Sequence, residues 1–485
     1  MTEPMNILFL MTDQHNPDYV GYAGKGKAVT PNIDWIAEGV RFTRAVSPNP
    51  VCTPTRCALL TGKYPHQVGM MTMSGDLSLQ HPTYPRALQK AGYQTAAIGK
   101  LHLLQGWHWS APRGGGHNLV ELKDRMRQYG FDKLWEAAGK GLSLKNYCDY
   151  CAHLESKGLL ERYRDELQQR ETVGHPESPD SSESFGIPES DHVEVVIADK
   201  IIETIRSRSR RSPFFIFGSF LSPHPIIDPP QRYFDSAWQT EDEEFLVQSG
   251  KQPLDDELKQ RWIVNRRGYR ALVHLVDDQI GRIIDALREE GLLDSTVIIY
   301  ASDHGDMLGN FAVDGKNLPW RESATVPLAI RHPNNMSPQV CDTPVSLIDI
   351  TATILDIAGL NPVSVLSRPW PAWNMVVPCL SLMPIIKGET DAIREFTFTE
   401  NDGWEMIATQ RYKYIRWRTH SLAYEPPRES LYDLIQDPNE IHDVASNPNY
   451  ASTLEFCRSR REHLLNATPA GQIGWAPVTI RSERG

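Results

Sequence analysis

Four short apolar runs along the chain each stop abruptly at polar residues. They are Ile7-Leu-Phe-Leu-Met11 before Thr12-Asp13, and Thr95-Ala-Ala-Ile98 before Gly99-Lys100-Leu101-His102. The other two are Phe214-Phe-Ile-Phe217 before Ser222-Pro-His224, and Val297-Ile-Ile-Tyr300 before Ser302-Asp303-His304. Continuous apolar runs of this length suit strands buried on both faces, as in a parallel sheet covered by helices. Helical spacing recurs between them over Tyr84–Ala91, Val193–Ile205 and Tyr269–Leu287, the last ending near Gly291. Strand–helix alternation predicts a doubly wound α/β fold, whose sites lie beyond the carboxyl ends of the strands. Asp13, Lys100, His102, His224, Asp303 and His304 are therefore expected to converge on one rim.

Residues 104–190 read as an insertion. They carry Gly114-Gly-Gly116, a charged helical stretch and an acidic Ser/Pro/Glu segment over Gly174–Ser190, a composition expected of a solvated loop. A Pro-rich segment from Asn361 to Pro384, with Trp370 and Trp373, reads as a linker. After it, Phe396–Thr399, Met406–Ala408, Tyr412–Trp417 and Leu431–Leu434 alternate as short strands, followed by a helix around Thr453–Leu465. The pattern predicts an α/β domain over residues 1–375 and a smaller antiparallel α+β subdomain over 376–485.

Composition narrows the function. The 485 residues are 40% hydrophobic and 23% charged, the make-up of a globular chain, and 50 Lys+Arg against 61 Asp+Glu give a net charge of -11. Such a balance argues against nucleic-acid and anionic-membrane partners, so an anion would need a local cationic pocket. No apolar run approaches the ~20 residues of a membrane span, and the start of the chain lacks a signal-peptide pattern, so a cytoplasmic location is expected. Seven scattered cysteines do not form a disulfide framework. Cys148 and Cys151 have C-x-x-C spacing without a second pair, which predicts two reduced thiols one helical turn apart rather than zinc ligands.

The string Cys52-Thr-Pro-Thr-Arg-Cys-Ala-Leu-Leu-Thr-Gly62 carries the most chemistry. Pro54 suits a first helical turn and Gly62 a C-terminal cap, which places Cys52 at or just before a helix N-terminus. Free N–H groups and the helix dipole favour anions there, and Arg56 adds a fixed charge. Cys52-x-Pro54-x-Arg56 with Thr61-Gly62 resembles the signature of the sulfatase family, within the alkaline-phosphatase-like superfamily. Further motifs resemble that family in order: Asp13 after the first strand, Gly99-Lys-Leu-His102, Ser222-Pro-His224 through Asp228-Pro-Pro230, and Ser302-Asp-His-Gly-Asp306. Gly315-Lys316, Arg321-Glu322 and the C-terminal Lys413-Tyr-Ile415 and Leu431-Tyr-Asp-Leu434 complete the likeness, which spans most of the chain.

The resemblance implies an alkaline-phosphatase-like, mostly parallel sheet between helices. It also implies that Cys52 is oxidised to formylglycine by a generating enzyme that reads Cys-x-Pro-x-Arg. The hydrated aldehyde would attack sulfur through one hydroxyl, and proton loss from the other would expel sulfate. Asp13, Cys52, Asp303 and His304 would hold one divalent ion, calcium, manganese or magnesium. Arg56 would stabilise the nucleophile, Lys100 and Lys316 would neutralise ester oxygens, His102 would act as base and His224 as acid. Two positions depart from the family pattern: Gln14 follows Asp13 where many members have a second acid, and Thr55 stands where Ser or Ala is common. Gln14 is left outside the expected ligands, and His274 is assigned a structural role in its helix. The aromatics Trp107-His108-Trp109 read equally as a substrate mouth or as core, and Trp370 and Trp373 as an oligomer contact. The expected reaction is hydrolysis of a small-molecule or saccharide sulfate monoester. A phosphonate monoester or phosphodiester hydrolase with the same site is the alternative, and a non-catalytic metal- or anion-binding protein is a third reading.

Overall fold

In the first strand, β1 (Asn6–Asp13), alternate side chains feed two separate cores: Ile7, Phe9 and Met11 enter one, Leu8 and Leu10 the other. That is the behaviour of a central strand covered on both faces. The computed structural model describes residues 4–105, 113–172, 186–238, 244–249, 252–335, 337–367, 376–418 and 428–470. Seven further strands join β1 in one eight-stranded sheet: β2 (Val40–Phe42), β3 (Gln94–Gly99), β4 (Lys133–Glu136), β5 (Phe214–Pro223), β6 (Thr296–Ser302), β7 (Leu328–Arg331) and β8 (Gln339–Cys341). Their order is β8-β2-β7-β6-β1-β5-β3-β4, and β7 alone runs against the others.

Helices α1 (Cys52–Thr61), α2 (Tyr84–Lys90) and α6 (Asp349–Ile357) bury Ala58, Leu88 and Ile350 in the core on one face. Helices α4 (Val193–Ser207) and α5 (Asp256–Glu289) bury Ile197, Ile201, Ile280 and Ile284 on the other. The four apolar runs are the sheet's central strands, as expected. Helix α5 starts 13 residues before the predicted Tyr269: its first turn is polar and largely exposed, and the turns after it bury Asn265 and Arg266 beside Trp262 and Ile263, which breaks the apolar period. Within the stretch read as an insertion, β4 pairs in parallel with β3 and closes one edge of the main sheet, and helix α3 (Asp149–Ser156) follows it. Among the described residues no helix is long and apolar enough to cross a membrane.

The C-terminal part forms a four-stranded antiparallel sheet, β9 (Phe396–Glu400), β10 (Trp404–Thr409), β11 (Tyr412–Trp417) and β12 (Glu429–Asp433), followed by helix α7 (Ala451–Ala467). Its faces divide by the period-2 rule. Phe398, Ile407, Tyr414 and Leu431 share a core with Leu454 and Cys457 of α7, while Trp404, Met406, Ile415, Trp417 and Tyr432 pack against Leu318 and Trp320. The second face thus backs the loop that carries Lys316.

Candidate active site

Parallel strands end on one rim: Thr12 of β1 lies opposite Ser302 of β6, and, after a register shift between Met11 and Asp13, Asp13 lies opposite Pro223 of β5. Asp13 closes β1, Asp303-His304 follow β6, His224 follows β5, and Lys100 and His102 follow β3. Helix α1 faces them with Cys52 as its first residue, behind an extended Val51, and it ends at Gly62 in the left-handed region (φ 66°). Gly99 (φ 103°) is required where β3 meets β5, since a Cβ there would lie 1.8 Å from the Ser219 carbonyl oxygen. All nine expected site residues come together, with Asp13, Cys52, Arg56, Lys100, His102, Asp303 and His304 buried.

The Cys52 sulfur is the centre of the cluster. Lys316 Nζ lies 3.0 Å from Sγ, His304 Nε2 3.4 Å, Lys100 Nζ 3.7 Å and Asp13 Oδ1 3.9 Å. Burial alone would push the thiol up; the Lys100 and Lys316 ammonium groups override it and hold Cys52 well below the usual thiol range. Burial and the Cys52 charge would likewise raise Asp13, but Lys100, in direct contact with its Oδ2, holds the carboxyl low. Arg56 fixes the floor. Its Nε and Nη2 each lie 2.9 Å from Asp303 Oδ2, and Nη1 reaches Ser219 Oγ at 2.8 Å and the Lys100 carbonyl. Thr55 joins the same floor, 2.9 Å from Ser47 Oγ, which donates to the Asp303 carbonyl at 2.7 Å.

Backbone carbonyls fix the histidine tautomers, because a carbonyl can only accept. His304 donates through Nδ1 to Gly305, leaving Nε2 as a lone pair 3.6 Å from both Asp13 Oδ1 and Asp303 Oδ1. His102 donates through Nε2 to Ala138, leaving a buried Nδ1 without a hydrogen-bond partner. Burial and then the Lys100 charge hold His102 neutral, down to about 3. His224 donates through Nδ1 to Pro225; burial and Lys316 lower it. His102 sits at φ 55° and Gln14 at φ 63°, conformations that non-glycine residues adopt at a cost and that concentrate at functional sites.

Gln14 is the residue that sequence reasoning left out. Its Nε2 donates to Asp306 Oδ2 at 2.6 Å, and its buried Oε1 has no hydrogen-bond partner. An amide oxygen buried without a donor is costly unless a cation takes it. The carboxylate, imidazole and sulfur donors of Asp13, Cys52, Asp303 and His304 all lie within 4.8 Å of one another. One small cation fits these four donors.

The family model described as Sulfatase matches residues 5–360. The chain belongs to the sulfatase family. This sulfatase also matches, over residues 309–466, the model described as N-sulphoglucosamine sulphohydrolase, C-terminal. It is 28% identical to an arylsulfatase of Clostridium perfringens, across 93% of this chain and 92% of that one. Among solved structures, a phosphonate monoester hydrolase of Silicibacter pomeroyi shares the fold with a TM-score of 0.75 at 20% identity, covering 96% of each chain. A protein solved with its substrate D-glucosamine-2-N,6-O-disulfate shares it at 0.71 and 21% identity, covering 96% of this chain and 98% of that one. Family and relatives make the sulfatase a sulfuric ester hydrolase.

Elsewhere in the sulfatase, Cys148 and Cys151 are buried free thiols 3.5 Å apart at the start of α3. His274 accepts from the Val29 N–H at 3.2 Å and lies beside Trp238, the structural role expected of it. Trp107, His108, Trp109, Trp370 and Trp373 lie outside the described residues.

Proposed function

We propose that the sulfatase hydrolyses an organic sulfate monoester to an alcohol and inorganic sulfate, with residue 52 matured to formylglycine and one divalent ion beside it. The observation that carries this reading is the single buried cluster in which Lys316, His304, Lys100 and Asp13 all lie within 3.9 Å of Cys52 Sγ. Asp13, Asp303, His304 and residue 52 would hold the ion, with Gln14 as a fifth donor. The imidazole shifts preference from calcium and magnesium toward manganese. The ion and the hydrated aldehyde would supply Lewis acidity and a strong oxygen nucleophile.

The chain's own residues do the rest. Lys100 and Lys316 neutralise the ester oxygens, and Arg56 stabilises the nucleophile at position 52 while bracing Asp303. His102 presents the lone pair of Nδ1 as proton acceptor, its ring oriented by the Ala138 carbonyl. His224, with its Nδ1–H engaged by the Pro225 carbonyl, would serve as acid toward the leaving oxygen only as the imidazolium, through Nε2–H, so a bound ester anion must first offset the burial and the Lys316 charge that lower the ring.

Gln14 and His304 favour a second reading. A neutral amide and an imidazole where carboxylates or amides could stand suit a phosphonate monoester or phosphodiester hydrolase with the same site. Two measurements test the pair. After co-expression with a formylglycine-generating enzyme, the peptide across Cys52 is expected to be about 18 Da lighter by mass spectrometry. Unmodified cysteine there would overturn the nucleophile. The matured enzyme is then assayed on matched aryl sulfate and aryl phosphonate esters, with a sulfated amino sugar alongside. A phosphonate preference of several orders of magnitude would move the second reading to the front.

A further inference from the structure

A second buried charge cluster lies behind the two histidines. Lys140 Nζ donates to Asp228 Oδ1 at 2.6 Å and to the Ile226 carbonyl at 3.0 Å, and His192 Nε2 lies 3.6 Å from Asp228 Oδ2. The Lys140, Asp228 and His192 side chains are 1%, 2% and 4% exposed. Burial alone would raise the Asp228 carboxyl; the Lys140 ammonium, and then His192, hold it below the usual carboxylate range. Desolvating two charges offsets most of their attraction, so apolar residues would stabilise such a position equally well. What the pair joins is more informative.

Lys140 belongs to the segment after β4. There the Ala137 N–H donates to the Gly99 carbonyl at 3.1 Å, and the Ala138 carbonyl takes the His102 Nε2 proton. Ile226 and Asp228 belong to the segment after β5 that carries His224, whose N–H donates to the Asp13 carbonyl at 3.0 Å. Behind that segment, Glu194 of α4 accepts from the Ser222 and Leu221 N–H groups at 2.7 and 3.2 Å, and His192 caps the same helix. His224 therefore sits on a span pinned at one end by Glu194 and at the other by Lys140.

We propose that Lys140 and Asp228 are positioning residues: their ion pair locks the segment carrying His224 to the segment that orients His102, fixing the two rings relative to each other. What the rings do rests on the sulfatase reading above; the tie itself rests on geometry. The test is the Lys140→Met/Asp228→Asn double variant, which removes both charges and leaves none buried alone. Because only a poor leaving group needs the proton from His224, kcat on phenyl sulfate is expected to fall about 100-fold and on 4-nitrophenyl sulfate less than about tenfold, with little change in KM. No loss on either ester would overturn the proposal. A histidine-selective 15N NMR spectrum reads the tie without turnover: the His102 and His224 ring signals should move while that of His274 stays. Unmoved ring signals overturn it whatever the substrate is. Absence of wild-type turnover on sulfate and phosphonate esters would instead sink the functional reading, with the spectral test still standing.

Discussion

Gln14 concentrates the residue-scale argument in one side chain. Its amide nitrogen is committed to Asp306, so the amide cannot flip to satisfy Oε1 without placing an oxygen against a carboxylate. The oxygen is therefore held ready for a cation. In Gln14→Leu, whose side chain is of similar size, divalent-ion affinity measured by isothermal titration calorimetry is expected to fall about tenfold or more. An unchanged affinity would remove Gln14 from the ligand set. The contrast with its neighbour explains what was legible. Asp13, Lys100, Asp303 and His304 announce themselves as polar residues directly after buried runs, and a charge in that place needs a partner. A glutamine reads the same in sequence whether both ends of its amide are satisfied or only one, so the case for it as a ligand rests on the hydrogen bonds.

At the scale of elements, the strand β4 shows how local sequence loses to tertiary context. Lys133-Leu-Trp-Glu136 has only four residues and a charge at each end, too little for a period to register. Pairing with β3 makes it a strand, and it turns Glu136 into the interior, 3% exposed, with Oε2 unpartnered. Burial, then the neighbouring Cys148 and Asp149, push this carboxyl up from 4.5 to about 8. The folded chain thus keeps a proton that the unfolded chain has released, and stability falls as pH rises from 4.5 toward 8. Glu136→Gln cannot ionise. Its urea midpoint is expected to decline less than that of wild type between about pH 6 and 8. Parallel declines would show that the Glu136 carboxyl is already ionised in the fold. The central strands were readable because burial on both faces makes them uniformly apolar; the edge strands β4 and β8, and β2 beside β8, have three or four residues and lack that signature.

For the whole molecule, the site is a joint product of two parts of the chain. Asp13, Gln14, Asp303 and His304 sit on strand ends of the main sheet, but the Lys316 loop is held from the C-terminal sheet. Asn401 Nδ2 donates to Asn317 Oδ1 at 2.7 Å, Trp404 Nε1 to the Asn317 carbonyl at 3.2 Å, and Lys413 Nζ to the Pro319 carbonyl at 3.1 Å. The sequence showed both the sheet and the lysine, yet not that one positions the other, because those contacts span 80 to 100 residues and follow no period. This arrangement also explains how a chain of net charge -11 can attract an anion: the buried Arg56 and Lys100 and the half-buried Lys316 gather around Cys52, where low dielectric strengthens their field. Asn401→Ala separates the two contributions. Releasing the loop should displace the Lys316 ammonium and lower kcat by about ten- to a hundredfold, since misplacement by an ångström costs that much. Divalent-ion affinity should hold at the wild-type value, because no ligand touches Asn401. If affinity and kcat fall together, the C-terminal sheet supports the strand ends as well as the loop, and the site is a single mechanical unit rather than a fixed metal pocket with a separately held cation.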